Sequence, residues 1–358
     1  MIKALSILHC LFMPQFAWEE VRRVLVIRLR SIGDTVLATP SLIALKRFLP
    51  DAEVDILLED WVAPLLDGFD SVDNVIRIGK RLSDRLSATR LIRSKRYDVV
   101  FNLHGGSTST FLSRASGAAY RIGYSNYRYA SLYTHLLSSS ADFWGREKTH
   151  SAEQQLALLG FAGVPVDDRP KSRLHVTEAA LRSADQRIAN SAIRIPDSPF
   201  ALLHPAAAFA TKQWAASNFA RVAEFLSEKN LAVIAIAAPN ERSVLADAAS
   251  ASRVPIVTFD DLTLPEITAL ASKAKLFVGN DSGPAHVAAA VGTPSVVIFG
   301  SSNRHHWYPW TDAPNKIVFE DFPCQPCPGY TCEVYGEPRC ILSVPASSVI
   351  AAIEKLNF

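Results

Sequence analysis

Short runs of β-branched and apolar residues recur along this 358-residue chain, each followed by a turn and a segment of helix length. That alternation restricts the fold more than any other feature. Strands separated by helices pair through crossover connections, which build parallel sheets covered by helices. The pattern predicts strands at Val24–Arg28, Val54–Leu58, Val75–Ile78 and Val99–Leu103, with helices at Thr35–Phe48 and Arg81–Ser94. Pro50-Asp51 closes the first helix, because proline cannot continue it and aspartate favours the turn.

A polar, proline-containing stretch from Val164 to Arg173 interrupts the alternation, which then restarts. Further strands are predicted at Phe200–Leu203, Ala232–Ala237, Ile256–Thr258, Leu276–Val278 and Ser295–Phe299. Helices are predicted near Asn218–Lys229, Glu241–Ala249, Pro265–Ser272 and Pro284–Val291, and a terminal helix of unassigned docking at Ala346–Leu356. The fold class expected is α/β, with two Rossmann-like, doubly wound domains facing across a cleft. Residues 1–22 form an irregular leader, 23–170 the first domain and 171–358 the second. Ligands in such sheets bind beyond the carboxyl ends of the strands.

Charge and composition exclude several classes. Lys+Arg number 37 against Asp+Glu 35, a net of +2, and 49% of residues are hydrophobic, which rules out a charged disordered chain and nucleic-acid binding through bulk charge. No run of about 18 apolar residues appears, so no bilayer-spanning helix is predicted. The leader's apolar run, Ala4 to Met13, is broken by His9 and followed by Trp18-Glu19-Glu20 rather than by a small-residue cleavage site, which suggests an amphipathic surface helix. Four of five cysteines crowd between positions 324 and 340, unlike a disulfide framework, and a cytoplasmic chain is expected.

Four segments place reactive side chains at strand ends. Val24 to Val36 runs from a strand into a turn where Asp34 follows Gly33 at a helix start. Asp34 reads either as an N-cap carboxylate for orphan amides or as a general base. In Leu276 to His286, Asp281-Ser282-Gly283-Pro284 opens a helix whose unpaired amides and dipole suit a phosphate, and His286 is either near that ligand or a packed core histidine. The loop His204 to Trp214 carries Lys212, a point charge for a diphosphate or a solvated surface residue. Ala237 to Glu241 puts Glu241 at a helix start, where it can bind a ribose or complement the helix dipole.

Together, in this order and on these elements, the four segments resemble glycosyltransferase family 9, the ADP-heptose:lipopolysaccharide heptosyltransferases. The resemblance runs from about Arg23 to Phe358 and rests on Gly33-Asp34, the His204-Pro205…Lys212-Gln213-Trp214 loop, Pro239-Asn240-Glu241 and Asp281-Ser282-Gly283-Pro284-Ala285-His286. It implies the GT-B fold, with the donor on the second domain and the acceptor on the first. It further implies that Asp34 is the catalytic base, Lys212 a donor-phosphate ligand and Glu241 the ribose ligand. Asp281, Ser282, Gly283 and His286 would form the donor-binding block. The chain departs from the family at Ala206, Ala207 and Ala208, where glycine and hydroxyl-bearing residues are common, and Thr211 is the candidate to supply a missing phosphate contact.

The expected activity is therefore inverting transfer of a heptose or similar sugar from an ADP-sugar substrate to a lipopolysaccharide core or related glycan. The rivals are a nucleotide-sugar epimerase of the same architecture and a catalytically silent nucleotide-sugar binding protein. No cofactor is expected to be required: no Asp-x-Asp motif stands at a strand end, and Asp51-x-x-x-Asp55 has the wrong spacing for one. Cys324, Cys327, Cys332 and Cys340 could hold a structural zinc ion, or be reduced packing residues or local disulfides. A basic run of Arg77, Lys80, Arg81, Arg85, Arg90, Arg93, Lys95 and Arg96, opposed within it only by Asp84, is either a solvated face or a contact for an anionic glycolipid acceptor. Arg81 and Arg85 are thus candidate acceptor contacts, and His104, which with Gly105 and Gly106 forms a cleft-facing loop after the strand ending at Leu103, is a third. The chain is expected in the cytoplasm or peripheral on the inner face of the cytoplasmic membrane, with no nucleic-acid partner.

Overall fold

Strand β1 (Arg23–Ile27) is buried from Val24 to Ile27 and lies between two parallel neighbours, β2 (Glu53–Glu59) and β4 (Val99–Asn102). This arrangement, in the computed structural model, covers residues 16–191, 199–327 and 329–356. With β3 (Asn74–Ile78), β5 (Tyr120–Tyr124) and β6 (His135–Leu137) these strands form a parallel sheet in the order β3-β2-β1-β4-β5-β6. A second parallel sheet contains β7 (Phe200–His204), β8 (Ala232–Ile236), β9 (Val257–Phe259), β10 (Leu276–Asn280), β11 (Ser295–Phe299) and β12 (Asn315–Phe319). Its order is β12-β11-β10-β7-β8-β9. The chain divides into two compact units, Met1–Lys171 and Ser172–Phe358, each with one sheet.

The helices of the first unit are α1 (Ile32–Val36), α2 (Thr39–Phe48), α3 (Leu82–Lys95), α4 (Ser107–Ser116), α5 (Ser140–Trp144) and α6 (Ser151–Phe161). Those of the second are α7 (Glu178–Ala189), α8 (Ala216–Glu228), α9 (Arg242–Ala251), α10 (Leu264–Lys273), α11 (Gly283–Ala290), α12 (Arg304–Trp307), α13 (Arg339–Leu342) and α14 (Ala346–Glu354). Both sheets have the doubly wound order 3-2-1-4-5-6. The strand order therefore reverses between β1 and β4 and again between β7 and β10, where crossovers leave to opposite faces and open a crevice at the carboxyl edge.

Two departures from the sequence pattern have local causes. The single helix predicted over 35–48 is split into α1 and α2, because Pro40 sits in the first turn of α2 and cannot donate the hydrogen bond a continuous helix needs. Strands β5, β6 and β12 were not predicted: Tyr120-Arg121-Ile122-Gly123-Tyr124 hides its period behind an arginine and a glycine, and β6 and β12 are sheet edges. The terminal helix is anchored, since Val349 and Ile353 of α14 join the second core around Trp214 and Phe219. The proposed leader helix over Ala4 to Met13 lies outside the described residues. Among the described residues no helix is long and apolar enough to cross a membrane.

Candidate active site

Asp34 lies just beyond β1, on one side of the first switch point. It is the third residue of α1, with Ser31 at the N-cap, so the simple N-cap reading is corrected. The carboxylate reaches back instead: Oδ2 accepts from the Ser31 hydroxyl at 3.1 Å, with a longer contact of 3.4 Å from the Ser31 amide. Its Oδ1 pairs with the guanidinium of Arg28, which also donates through Nη1 to the carbonyl of Leu103 beyond β4. Arg28 thereby ties the carboxylate on one side of the switch point to the backbone on the other. The Asp34 side chain keeps 22% of its surface exposed, so it is held yet reachable.

His104 belongs to the same edge, on the loop after β4. Its amide and that of Gly105 donate to Oδ1 of Asn102, the buried last residue of β4, at 3.0 and 3.1 Å. Gly105 has φ +76°, and a Cβ there would come within 2.4 Å of the Tyr127 ring, so both the turn and the packing require glycine. Burial, and after it the positive charge of Arg28, push the His104 imidazole down to about 4. The ring is neutral near pH 7. The structure thus brings Asp34 and His104 together under Arg28. Arg81 and Arg85, by contrast, stand exposed on and beside α3, and among the described residues neither bonds to Asp34, Arg28 or His104.

In the second unit the predicted donor residues lie on three loops at one carboxyl edge: Lys212 after β7, Glu241 after β8 and Asp281 to His286 after β10. Lys212 Nζ is 2.9 Å from Asp281 Oδ2 across the switch point, and Asp281 is only 5% exposed. Asn280, the buried last residue of β10, accepts from the Trp214 amide at 3.1 Å and donates to the Pro205 carbonyl at 2.9 Å. It fixes the lysine loop at both ends. Ser282 is the N-cap of α11, and its hydroxyl lies 3.0 Å from His204 Nδ1 and donates to the Asn280 carbonyl at 3.1 Å. Ser282 and Gly283 remain half-exposed, which leaves the first amides of α11 accessible, whereas His286 is buried in the helix packing. Glu241 closes its own loop, its Oε2 accepting from the Ala238 amide at 3.0 Å.

One expectation is corrected. Thr211 is buried and spends its hydroxyl within the fold: it donates to the Gly329 carbonyl at 3.0 Å and accepts from the Ser301 hydroxyl at 3.0 Å. It is an anchor for the lysine loop. The late cysteine segment is the other half of that anchor, since the Cys327 amide donates to Ser301, Gln325 Nε2 donates to Gly300, and Tyr330 meets Phe209 edge-on at 4.5 Å. Cys324, Cys327, Cys332 and Cys340 are free thiols, and the described residues contain no group of three or more His, Cys, Asp or Glu able to hold a metal ion. Backbone and side-chain hydrogen bonds set the course of this segment, and Cys340 is packed into the second unit beside Ile341 of α13, where burial pushes its thiol up.

Sequence reasoning missed Arg28, Asn102 and Asn280. The asparagines had a readable signal, each being a polar residue that ends an apolar strand run at a switch point. Arg28, which follows the apolar run of β1, had the same signal, but its partners, one in α1 and one beyond β4, did not show in the sequence.

The buried imidazoles give the protein an acid-sensitive stability. His204, like His104, is held at about 4, in its case by burial. Below about pH 6.5 the unfolded chain takes up protons that the folded chain refuses, so this stability is fully present above 6.5 and is lost as the pH falls toward 4. The slope approaches about 1.4 kcal/mol per pH unit for each histidine. Melting temperature followed from pH 8 to 4 should fall less steeply for His204→Asn than for wild type; identical slopes would remove His204 from this account.

The chain is 27% identical over 349 residues to lipopolysaccharide heptosyltransferase 3 of Escherichia coli, covering 92% of this chain and 97% of that protein. A glycosyl transferase family 9 structure from Veillonella parvula superposes with a TM-score of 0.82 at 19% identity, over 96% of this chain and 98% of that one. The E. coli heptosyltransferase WaaC with ADP superposes with a TM-score of 0.69 at 17% identity, over 93% and 99%. These structures share the GT-B fold. The model of glycosyltransferase family 9 (heptosyltransferase) matches residues 85–336, and the chain, with its two doubly wound units, belongs to that family.

Proposed function

We propose that the protein transfers a heptose, or a similar sugar, from an ADP-sugar to a hydroxyl of a lipopolysaccharide core or related glycan, with inversion. The observation that carries this reading is the Asp34 carboxylate, held by Arg28 and Ser31 at the carboxyl edge of the first sheet and still open to solvent. Asp34 takes the proton of the acceptor hydroxyl as that oxygen forms its bond to the anomeric carbon. The bond from that carbon to the diphosphate oxygen breaks on the opposite face, and ADP leaves. Lys212 and the amides of Ser282 and Gly283 stabilise the departing charge, so the chain's own contribution is positioning and electrostatics. An arriving diphosphate competes with Asp281 for Lys212, and Glu241, fixed by its own loop, meets the ribose. Asp281 and His286 support the block from within.

The curated relative's name and the ADP bound by WaaC support this choice of donor and acceptor. Neither rival, epimerase or silent binder, is favoured by these relatives. The free thiols suit a reducing cytoplasm, where we place the chemistry, at the inner membrane face. The test is ADP release from ADP-heptose with and without a lipopolysaccharide-core acceptor. Release that requires acceptor and yields a glycosylated, anomerically inverted product is expected. Sugar interconversion without ADP release would establish the epimerase reading, and tight ADP-heptose binding without turnover the silent one.

A further inference from the structure

Helix α3 touches its own unit along a narrow strip: only Ala88 and Ile92 are buried, and most of the remaining surface faces solvent. At 3.6 residues per turn Leu82, Leu86, Thr89 and Arg93 fall in one row along a flank of α3, about 110° from the buried strip and between Arg85 and Arg90. Leu82 is 73% exposed and Leu86 49%. Leucines this open, repeated at i and i+4 in one row, leave a contiguous apolar strip in solvent.

The row continues onto α4. The Arg93 guanidinium lies against Gly117 at the end of α4, where a Cβ would strike it. Crossover helices on parallel strands run in the same direction, so Phe111, six residues before Gly117, stands level with Leu86, a similar distance before Arg93. Phe111 is 53% exposed and lies tilted against Tyr129 with ring centroids 5.1 Å apart, and Arg128 sits over Tyr129 at 5.4 Å.

The charge of this surface has one sign. Arg81, Arg85 and Arg90 pair with no carboxylate among the described residues, and Asp84, the acidic residue of α3, is turned back to the Arg81 amide at 3.1 Å. Not all of the basic run belongs here. Lys95 points inward to Glu53 and the fully buried Asp55 at 2.6 and 2.7 Å, and Arg77 pairs with Asp67. What remains is a set of unpaired arginines around exposed leucine and phenylalanine side chains.

We infer that the outer face of α3 and α4 docks on an anionic lipid bilayer, with Leu82, Leu86 and Phe111 entering the interface and the arginines meeting phosphate headgroups. A polyanion or an acidic protein would match the arginines and leave the leucines in water, whereas a lipid interface accepts both. The inference deepens the proposed function, in that a lipid-borne glycan would be presented at this face, but its test does not need that reading.

The full chain is mixed with vesicles of phosphatidylglycerol and phosphatidylcholine, or of phosphatidylcholine alone, without glycolipid, and binding is read by flotation. Selective binding to the phosphatidylglycerol vesicles is expected, weakened by salt. Arg81→Gln/Arg85→Gln/Arg90→Gln should reduce partitioning by about 100-fold, at roughly a factor of five per arginine. Leu82→Ser/Leu86→Ser, with the charge unchanged, should reduce it by roughly tenfold. Both variants should bind ADP as wild type does, which shows that they fold. No binding to phosphatidylglycerol vesicles would overturn the inference. So would loss in the arginine variant with none in the leucine variant, which marks a polyanion or protein surface instead. Vesicle binding without sugar transfer would leave the docking face standing and count against the transferase reading alone.

Discussion

Turnover of Asp34→Asn falls by about 10²- to 10⁴-fold, the usual contribution of a general base, while ADP affinity stays at the wild-type value because the donor residues belong to the other unit. Asparagine is nearly isosteric, so its carbonyl can keep the contact to Arg28, while its amide group can donate to the Ser31 hydroxyl but cannot accept from the Ser31 amide. The ion pair is lost, and Arg28, 12% exposed, keeps the Leu103 carbonyl but not its charge partner. A charge-assisted bond reduced to a neutral one costs roughly 1 kcal/mol, which lowers the melting temperature by only a few degrees. Steady-state transfer, ADP titration and a thermal melt on the same preparation separate these effects. Transfer within a few-fold of wild type would reduce Asp34 to a structural carboxylate and move the search to His104, whose neutral ring shares this edge.

Lys212→Ala is expected to do two things at once. Loss of a charge-assisted contact to the diphosphate, worth roughly 1.5 to 3 kcal/mol, weakens ADP binding by about 10- to 100-fold. The same change strands Asp281, which is 5% exposed and 2.9 Å from the missing ammonium. A buried carboxylate without its partner is costly, so the variant also melts earlier. The variant still folds, with lower stability than wild type. Adding Asp281→Ala should restore much of the stability and none of the ADP affinity, so the double-mutant cycle divides the fold's use of Lys212 from the ligand's. Calorimetry showing unchanged ADP affinity in Lys212→Ala would detach this loop from the donor phosphates.

Much of the architecture was legible before any coordinates, for a physical reason. A strand inside a parallel sheet is buried on both faces and reads as a short apolar run, and the crossover after it reads with a period of 3.6. Val24 to Ile27, Val99 to Phe101, Leu276 to Val278 and Ser295 to Phe299 carry that signal openly. Residues just beyond such runs must stand at the carboxyl edge, which is how Asp34, Lys212 and Asp281 could be placed. The edge strands β6 and β12 carry little of it, because less of their surface is buried.

Partnership between distant side chains is a different kind of information. Arg28 meets the Leu103 carbonyl across 75 positions and Lys212 meets Asp281 across 69, and both meetings exist only because the strand order brings β4 beside β1 and β10 beside β7. The same ordering turned Lys95 from a presumed surface charge into a partner of buried Asp55, and Thr211 from a phosphate ligand into an anchor. Hydrophobic period and turn chemistry are local, so the sequence by itself determined the central elements of both sheets and the edge on which the reactive residues stand. Electrostatic and hydrogen-bond partners are chosen by distance in space, so which charge holds which, and which leucines are left facing outward, was decided only by the tertiary structure.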